Sequence, residues 1–240
     1  MIKKCEKDAQ IKKHLKKYIK EIVEEYEKSR DILVNKRKTK RVFRGRQRII
    51  SSVSEDLFAK RICKLFPQKS ICVFVDQPIT FSHNAKKSTI YPDIIICKQE
   101  KKEENKYKIL YMIDLKQDIG WHRNSKLKLY KELKEKCEKI KHTKSVKGNV
   151  FKDDTNDKQS IRFTIDNSAS YDEVLISSRN SGKQEEEIKK LSNDVNKNFW
   201  CLTNSKHPNS KKKEGKIELN FEDWLLLIHK IDKIVNKNCK

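Results

Sequence analysis

Glycine, proline and long hydrophobic runs are scarce in this chain of 240 residues. With 5 Gly and 4 Pro, the sequence offers no glycine-rich loop that would cradle a phosphate, so we expect no nucleotide cofactor. No stretch reaches the ~18 consecutive apolar residues that would predict a membrane-spanning helix. The segment after Met1 lacks the apolar core of a secretory signal, so we expect a cytoplasmic protein without membrane contact.

Apolar residues in general are few, at 35% of the chain against 38% charged residues, whereas an average globular protein is ~45–50% apolar. They gather in short runs, which predicts a folded core under a very polar surface rather than a disordered chain. The 7 cysteines lie far apart without a CxxC pair, and none of the 6 histidines stands at ligand spacing from a cysteine. These patterns argue against a disulfide framework, a zinc ribbon and a Cys/His catalytic site.

Positive charge is abundant, because 57 Lys and Arg face 34 Asp and Glu, a formal net charge of +23. Such an excess favours a polyanionic partner, and nucleic acid is the first candidate. A lysine-rich background composition would explain part of the excess. It would not explain segment 36–48, which we call the basic arm and expect to grip the DNA backbone or a groove. The cations of the basic arm are Lys36, Arg37, Lys38, Lys40, Arg41, Arg44, Arg46 and Arg48.

The spacing of the apolar residues predicts an alternation of helices and strands. In chain order the predicted elements are helix 6–28, helix 52–66, strands 71–75, 90–97 and 107–115, helix 125–141, strand 173–177, helix 184–196, strand 199–203 and helix 221–235, with an additional strand at 161–165. The second helix begins with a capping box from Ser52 to Glu55 and is closed by Pro67. The charged stretch 98–106 predicts that the second and third strands form an antiparallel hairpin.

Two acids and a lysine stand at the open end of this hairpin. Asp93 lies near the start of its first strand, while Asp114 and Lys116 lie near the end of its second. Residues two apart in a strand share a face, so we expect Asp114 beside Lys116, with Asp93 opposite. Two close carboxylates resist ionising together, and a hard divalent cation would relieve that conflict. Lys116 would then orient a water, assist its deprotonation or offset charge on a phosphate.

This pattern resembles the motif of the PD-(D/E)XK nuclease superfamily, the restriction-endonuclease-like fold. The matching residues are Pro92-Asp93 and, 21 positions later, Asp114-Leu115-Lys116. The order of helix, three strands, helix and strand over residues 50–180 is similar to the core of that family. The resemblance implies an α/β fold with a mixed central sheet flanked by helices. The chain would be a single nuclease domain, with residues 1–48 and 181–240 as helical additions at either end.

The resemblance also implies an activity and the residues that carry it. The activity is the Mg²⁺-dependent hydrolysis of phosphodiester bonds in double-stranded DNA, with Mn²⁺ able to replace Mg²⁺. Asp93, Asp114 and Leu115 would hold the metal, and Lys116 would act on the attacking water. Glu55, or its neighbour Asp56, would reach the metal from the first core helix.

Polar residues beyond the motif are candidates for DNA contacts. His122, Arg123 and Lys126 follow the second carboxylate near a predicted helix N-terminus, a place that favours phosphate. Arg179 and Asn180 follow the strand at 173–177 and are able to bond base edges. An ordinary solvated turn is the alternative interpretation for each group.

A basic chain of this size without a motor resembles a Type II restriction endonuclease. Such an enzyme usually acts as a symmetric homodimer, and helix 6–28 or helix 221–235 would supply the interface. Two alternatives remain open. The same core would also suit a repair, phage-defence or RNA-directed nuclease. The chain would otherwise be a non-catalytic, basic nucleic-acid-binding protein whose acids are structural.

Overall fold

The computed structural model describes residues 2–32, 51–83, 86–100, 105–117, 128–141, 145–151, 158–177, 193, 198–204 and 217–239. Within these ranges the helices are α1 (Ile2–Ile32), α2 (Ser51–Leu65), α3 (Lys128–Lys141) and α4 (Phe221–Cys239). The strands are β1 (Ile71–Val75), β2 (Ile79–His83), β3 (Lys86–Ile90), β4 (Ile94–Gln99), β5 (Lys106–Lys116), β6 (Ser145–Phe151), β7 (Lys158–Leu175) and β8 (Phe199–Cys201). None of these helices is long and apolar enough to cross a membrane.

The described strands form one mixed sheet in the order β1-β4-β5-β7-β6-β2-β3, with β8 also paired to β7. The strands β1, β4 and β5 are antiparallel neighbours, whereas β7 runs parallel to β5 and β8 runs parallel to β7. The chain passes from β5 to its parallel neighbour β7 through α3 and β6. The predicted α/β class with a mixed central sheet is therefore confirmed.

The strand β5 lies inside the sheet, and its residues from Ile109 to Leu115 are all buried. Such a continuous buried run fits a strand that is covered on both faces. On one face, Ile94, Ile113 and Val174 pack into the core that includes α1, α2 and α4. On the other face, Ile95, Met112 and Leu175 pack with Leu133 of α3. We call this second side the α3 face.

The helices α1 and α4 turn their apolar sides to the chain's own core. In α1, Ile11, Leu15 and Ile22 are fully buried, as the helical spacing predicts. The buried side chain of Trp224 in α4 donates a hydrogen bond of 2.8 Å from Nε1 to the carbonyl oxygen of Ile11. Because both apolar sides are already covered within one chain, a symmetric interface would have to use another surface. A homodimer remains a prediction.

Several predicted strands have different boundaries in the structure. The strand expected at 90–97 is wrong as a single element, because Ile90 ends β3 and β4 begins only at Ile94. Pro92 lies in the gap, and proline has no amide hydrogen to donate to a neighbouring strand. The strands expected at 161–165 and 173–177 are parts of one strand, β7. The antiparallel pairing of the strands that contain Ile96 and Tyr111 is confirmed.

The predicted capping box of α2 is also wrong. The helix already includes Ser51 and Ser52, so Ser52 lies inside it and does not cap it. The basic arm lies outside the described residues, as does the helix expected at 184–196 apart from Asn193.

Candidate active site

Three neighbouring strands bring acidic side chains to one end of the α3 face. The pairing of Ile94 with Ile113 sets Asp93 beside the end of β5. In the parallel pair of β5 and β7, Asp114 lies directly opposite Glu173. The carboxylates of Asp93, Asp114 and Glu173 therefore lie across three adjacent strands, next to α3.

Lys116 lies between the two acids that the sequence predicted with it. Its Nζ is 3.6 Å from Oδ2 of Asp93 and 3.7 Å from Oδ2 of Asp114. Burial alone would lower the pKa of Lys116, but the carboxylates of Asp114, Asp93 and Glu173 outweigh it and raise the pKa above its ordinary value. The structure thus brings these three residues together, with the lysine ammonium between the two carboxylates.

Asp93 is held by the backbone that follows Asp114. The amide of Leu115 donates a hydrogen bond of 2.6 Å to Oδ2 of Asp93, which fixes this carboxylate against the end of β5. Burial raises the pKa of Asp93, while the Lys116 ammonium and the Leu115 amide oppose that rise. Leu115 itself is buried, and what it contributes here is a backbone donor to Asp93.

Asp114 is almost fully enclosed, with 1% of its surface exposed. The hydroxyl of Tyr171 donates to its Oδ1, and the ammonium of Lys136 donates to its Oδ2. The Lys136 Nζ also lies 5.2 Å from the centre of the Tyr171 ring, a cation–π contact. Both oxygens of Asp114 therefore already have a donor.

Glu173 is the acid of this group that the sequence reasoning missed. Its side chain is 1% exposed, and its Oε1 has no hydrogen-bond partner among the described residues. Burial, and then the charge of Asp114, raise the pKa of Glu173 well above its ordinary value, while Lys116 and Lys136 act against the rise. The available signal was its position at the start of the apolar run Val174-Leu175-Ile176, which matches the position of Asp93 before Ile94.

Glu55 reaches the same region from α2. It is 8% exposed, whereas the side chain of Asp56 is exposed to solvent, so Glu55 is the acid on the inner side of the helix. Burial, followed by the charges of Asp93 and Asp76, raises the pKa of Glu55 to about 7, and Lys116 opposes the shift. These charges act strongly only over short distances, so Glu55 lies near the end of the site that contains Asp93.

Buried and partly buried hydrogen bonds connect the start of α2 with the end of β5 and with α1. The side-chain amide of Gln117 donates to the hydroxyl of Ser54, and Tyr26 of α1 donates to Oε1 of Gln117 at 3.4 Å. Tyr18 donates to the carbonyl oxygen of Ser54 at 3.2 Å. Gln117 follows Lys116 in the chain and Ser54 precedes Glu55, so these hydrogen bonds keep Glu55 and Lys116 close together.

The donor set is suited to a hard divalent cation, although the described residues contain no ready-made group of three or more His, Cys, Asp or Glu for one. Lys116 and Lys136 already pair with these carboxylates. Four carboxyl groups, those of Glu55, Asp93, Asp114 and Glu173, face these two ammonium groups. Two negative charges remain when all are ionised, which one divalent cation would balance. Binding would require Lys136 to leave Asp114.

The predicted DNA contacts lie outside the described residues. This applies to the basic arm, to His122, Arg123 and Lys126, and to Arg179 and Asn180. The described part of the site therefore consists of Glu55, Asp93, Asp114 and Glu173, which we call the acidic centre, together with Lys116 and Lys136.

Comparison of the chain with protein-family models, with curated proteins and with solved structures found no match. The assignment of a function therefore depends on the geometry of the chain itself.

Proposed function

We propose that the chain is a Mg²⁺-dependent endonuclease with a PD-(D/E)XK-like core, acting on double-stranded DNA as a Type II restriction endonuclease. The observation that carries this proposal is the position of the Lys116 ammonium, 3.6 Å from Asp93 and 3.7 Å from Asp114 at one end of the sheet. A lysine beside two carboxylates is what the resemblance implies for this class of nuclease.

The arrangement of the sheet supports the same proposal. The elements α2, β1, β4, β5, α3 and β7 follow the order of helix, three strands, helix and strand. Their strands are neighbours in the order β1-β4-β5-β7, with a parallel pair only between β5 and β7 among these four. The hairpin of β2 and β3, together with β6, would be additions to that core.

Each residue of the site would have a separate task. Asp93, Asp114 and Glu55 would supply carboxylate oxygens to the cation. The backbone carbonyl oxygen of Leu115 would be a further ligand. When bound, the cation would lower the pKa of a water and offset negative charge on the phosphate. Lys116 would orient the water, assist its deprotonation or stabilise the charge that develops on the phosphate.

Substitution of Lys116 tests the proposal. Supercoiled plasmid would be incubated with Mg²⁺ and either the natural protein or Lys116→Met, which removes the charge and keeps the length of the side chain. We expect the variant to lose cleavage by about 100-fold or more, as is typical when one stabilising donor is removed. DNA binding, measured in a gel-shift assay, should be retained.

A matched control is available on the same strand. The side chain of Lys108 is 38% exposed, against 37% for Lys116. Lys108 pairs with Asp166 at 3.8 Å and lies outside the acidic centre. Lys108→Met should cleave as the natural protein does. If the natural protein binds DNA but cleaves neither DNA nor RNA with any divalent cation, the chain is a binding protein. Nicks or a smear in place of discrete fragments would favour a repair or non-specific nuclease.

A further inference from the structure

The Oε1 atom of Glu173, which accepts no hydrogen bond from the described residues, is the feature that the proposed mechanism does not use. A buried polar atom without a hydrogen bond costs free energy, and a buried carboxylate without a counter-charge costs more. Such atoms are rare in folded proteins and call for a physical reason. Glu173 is buried directly before the buried apolar residues Val174 and Leu175.

The surroundings of Glu173 point to a ligand rather than to a structural bond. Tyr171, two residues earlier on the same face of β7, donates its hydroxyl hydrogen to Oδ1 of Asp114. Lys136 donates to Oδ2 of Asp114, and Lys116 lies between Asp114 and Asp93. Tyr171 and Lys136 donate to Asp114, Lys116 is shared by Asp114 and Asp93, and none of the three donates to Oε1 of Glu173. Asp114, the direct neighbour of Glu173 across the strands, is an acid.

We propose that Glu173 is a carboxylate ligand of the divalent cation, on the side of Asp114 that faces β7. This inference rests on the proposed function, since it adds a ligand to the same metal site. A cation shared by Asp114 and Glu173 would satisfy the free oxygen and reduce the repulsion between the two acids. Lys136 would be displaced from Asp114 and would become available to an anionic group such as a DNA phosphate.

Isothermal titration of the metal-free protein with Mn²⁺ tests this role directly. Glu173→Gln removes the charge with little change in shape, and Asp166→Asn is the control, because Asp166 lies in the same strand and accepts a hydrogen bond from the amide of Ser168. We expect Glu173→Gln to lower the Mn²⁺ affinity at least as much as the loss of a group supporting a metal ligand, about 10–100-fold. The Mn²⁺ concentration for half-maximal plasmid cleavage should rise in parallel, while Asp166→Asn should change neither quantity.

Thermal unfolding in EDTA separates a ligand from a structural residue. Glu173→Gln should be at least as stable as the natural protein without metal, and Mn²⁺ should raise its melting temperature less. A variant that is less stable in EDTA would show a structural role and overturn the inference. If Glu173→Gln fails to fold, the same titration is carried out on Glu173→Asp, whose side chain is shorter. An unchanged Mn²⁺ affinity of that variant would also overturn the inference.

The failures of the two proposals are distinguishable. If the natural protein neither binds Mn²⁺ nor cleaves nucleic acid with it, the metal-dependent function is wrong, and the ligand role of Glu173 falls with it. If the natural protein binds Mn²⁺ and cleaves, while Glu173→Gln does both equally well, only the role of Glu173 is wrong.

Discussion

Glu55 shows how one buried residue ties the stability of the fold to pH. Its pKa rises from an ordinary value of 4.5 to about 7, mainly because burial disfavours the charged form. The neutral acid therefore stabilises the fold relative to the unfolded chain. This contribution is complete below pH 4.5 and is lost as the pH rises through 7.

Glu55→Gln makes that dependence measurable in metal-free protein. The glutamine stays neutral, so the variant should gain stability relative to the natural protein as the pH rises from about 5 to about 8, across the raised pKa. Urea unfolding at several pH values in EDTA would give the difference. Asp56→Asn, an exposed neighbour, should leave the pH dependence of the natural protein unchanged. If the stability of Glu55→Gln and that of the natural protein change with pH in the same way, the raised pKa of Glu55 is contradicted.

At the scale of elements, the contact between α1 and α2 determines where Glu55 is held. Arg61 of α2 is 1% exposed and pairs with Glu21 of α1, and the Arg61 Nε has no hydrogen-bond partner within the described ranges. A buried guanidinium that loses its counter-charge is strongly destabilising, because it cannot be neutralised by deprotonation.

Glu21→Gln should therefore destabilise the protein by up to about 3 kcal/mol, the low end for a broken buried pair because Glu21 is partly exposed. Urea unfolding measures the decrease in stability. Glu24→Gln is the control, since Glu24 makes an exposed pair with Lys20 at 3.6 Å, and surface pairs are worth about 0–1 kcal/mol. Equal effects of the two substitutions would show that the Arg61 pair carries no special weight.

The elements also show what the sequence was able to predict of the site. Asp93, Asp114 and Lys116 were predictable, because a hairpin with a charged tip and the two-residue period of a strand are local features. The position of Glu173 at the start of an apolar run is visible in the sequence, but its place opposite Asp114 was not predictable, because that depends on a parallel pairing between strands far apart in the sequence. The same holds for Lys136, which belongs to the polar side of α3 and meets Asp114 only through the packing of that helix on the sheet.

At the scale of the whole molecule, the net charge of +23 is the dominant property. The acids Asp93, Asp114 and Glu173 lie at one end of the α3 face, whereas the basic arm holds cations without an acid among them. A polyanion would be attracted over the Debye length of about 10 Å at 0.1 M salt. The affinity for DNA should then fall steeply with salt, since each phosphate contact releases bound counterions.

A variant of the basic arm tests its contribution to DNA binding. In this variant Gln replaces Arg41, Arg44, Arg46 and Arg48. Each phosphate that the variant no longer neutralises should reduce the slope of log affinity against log salt by ~0.9, so a reduction of about 3–4 is expected. Fluorescence anisotropy with a labelled duplex at several salt concentrations gives the slope. The control removes the same charge from the exposed lysines Lys12, Lys13, Lys16 and Lys17 of α1. Equal reductions would mean that net charge alone drives binding.

The hydrogen bond from Trp224 of α4 to Ile11 of α1 joins two residues that lie 213 positions apart in the chain. Contacts of such separation form late, because a long loop must close before they contribute. On the ribosome, the part of the apolar side of α1 that α4 covers would stay exposed until α4 had been synthesised, and chaperones would recognise that surface. The time needed to reach the native state should thus be governed by the synthesis of α4 rather than by the strands that carry the acids.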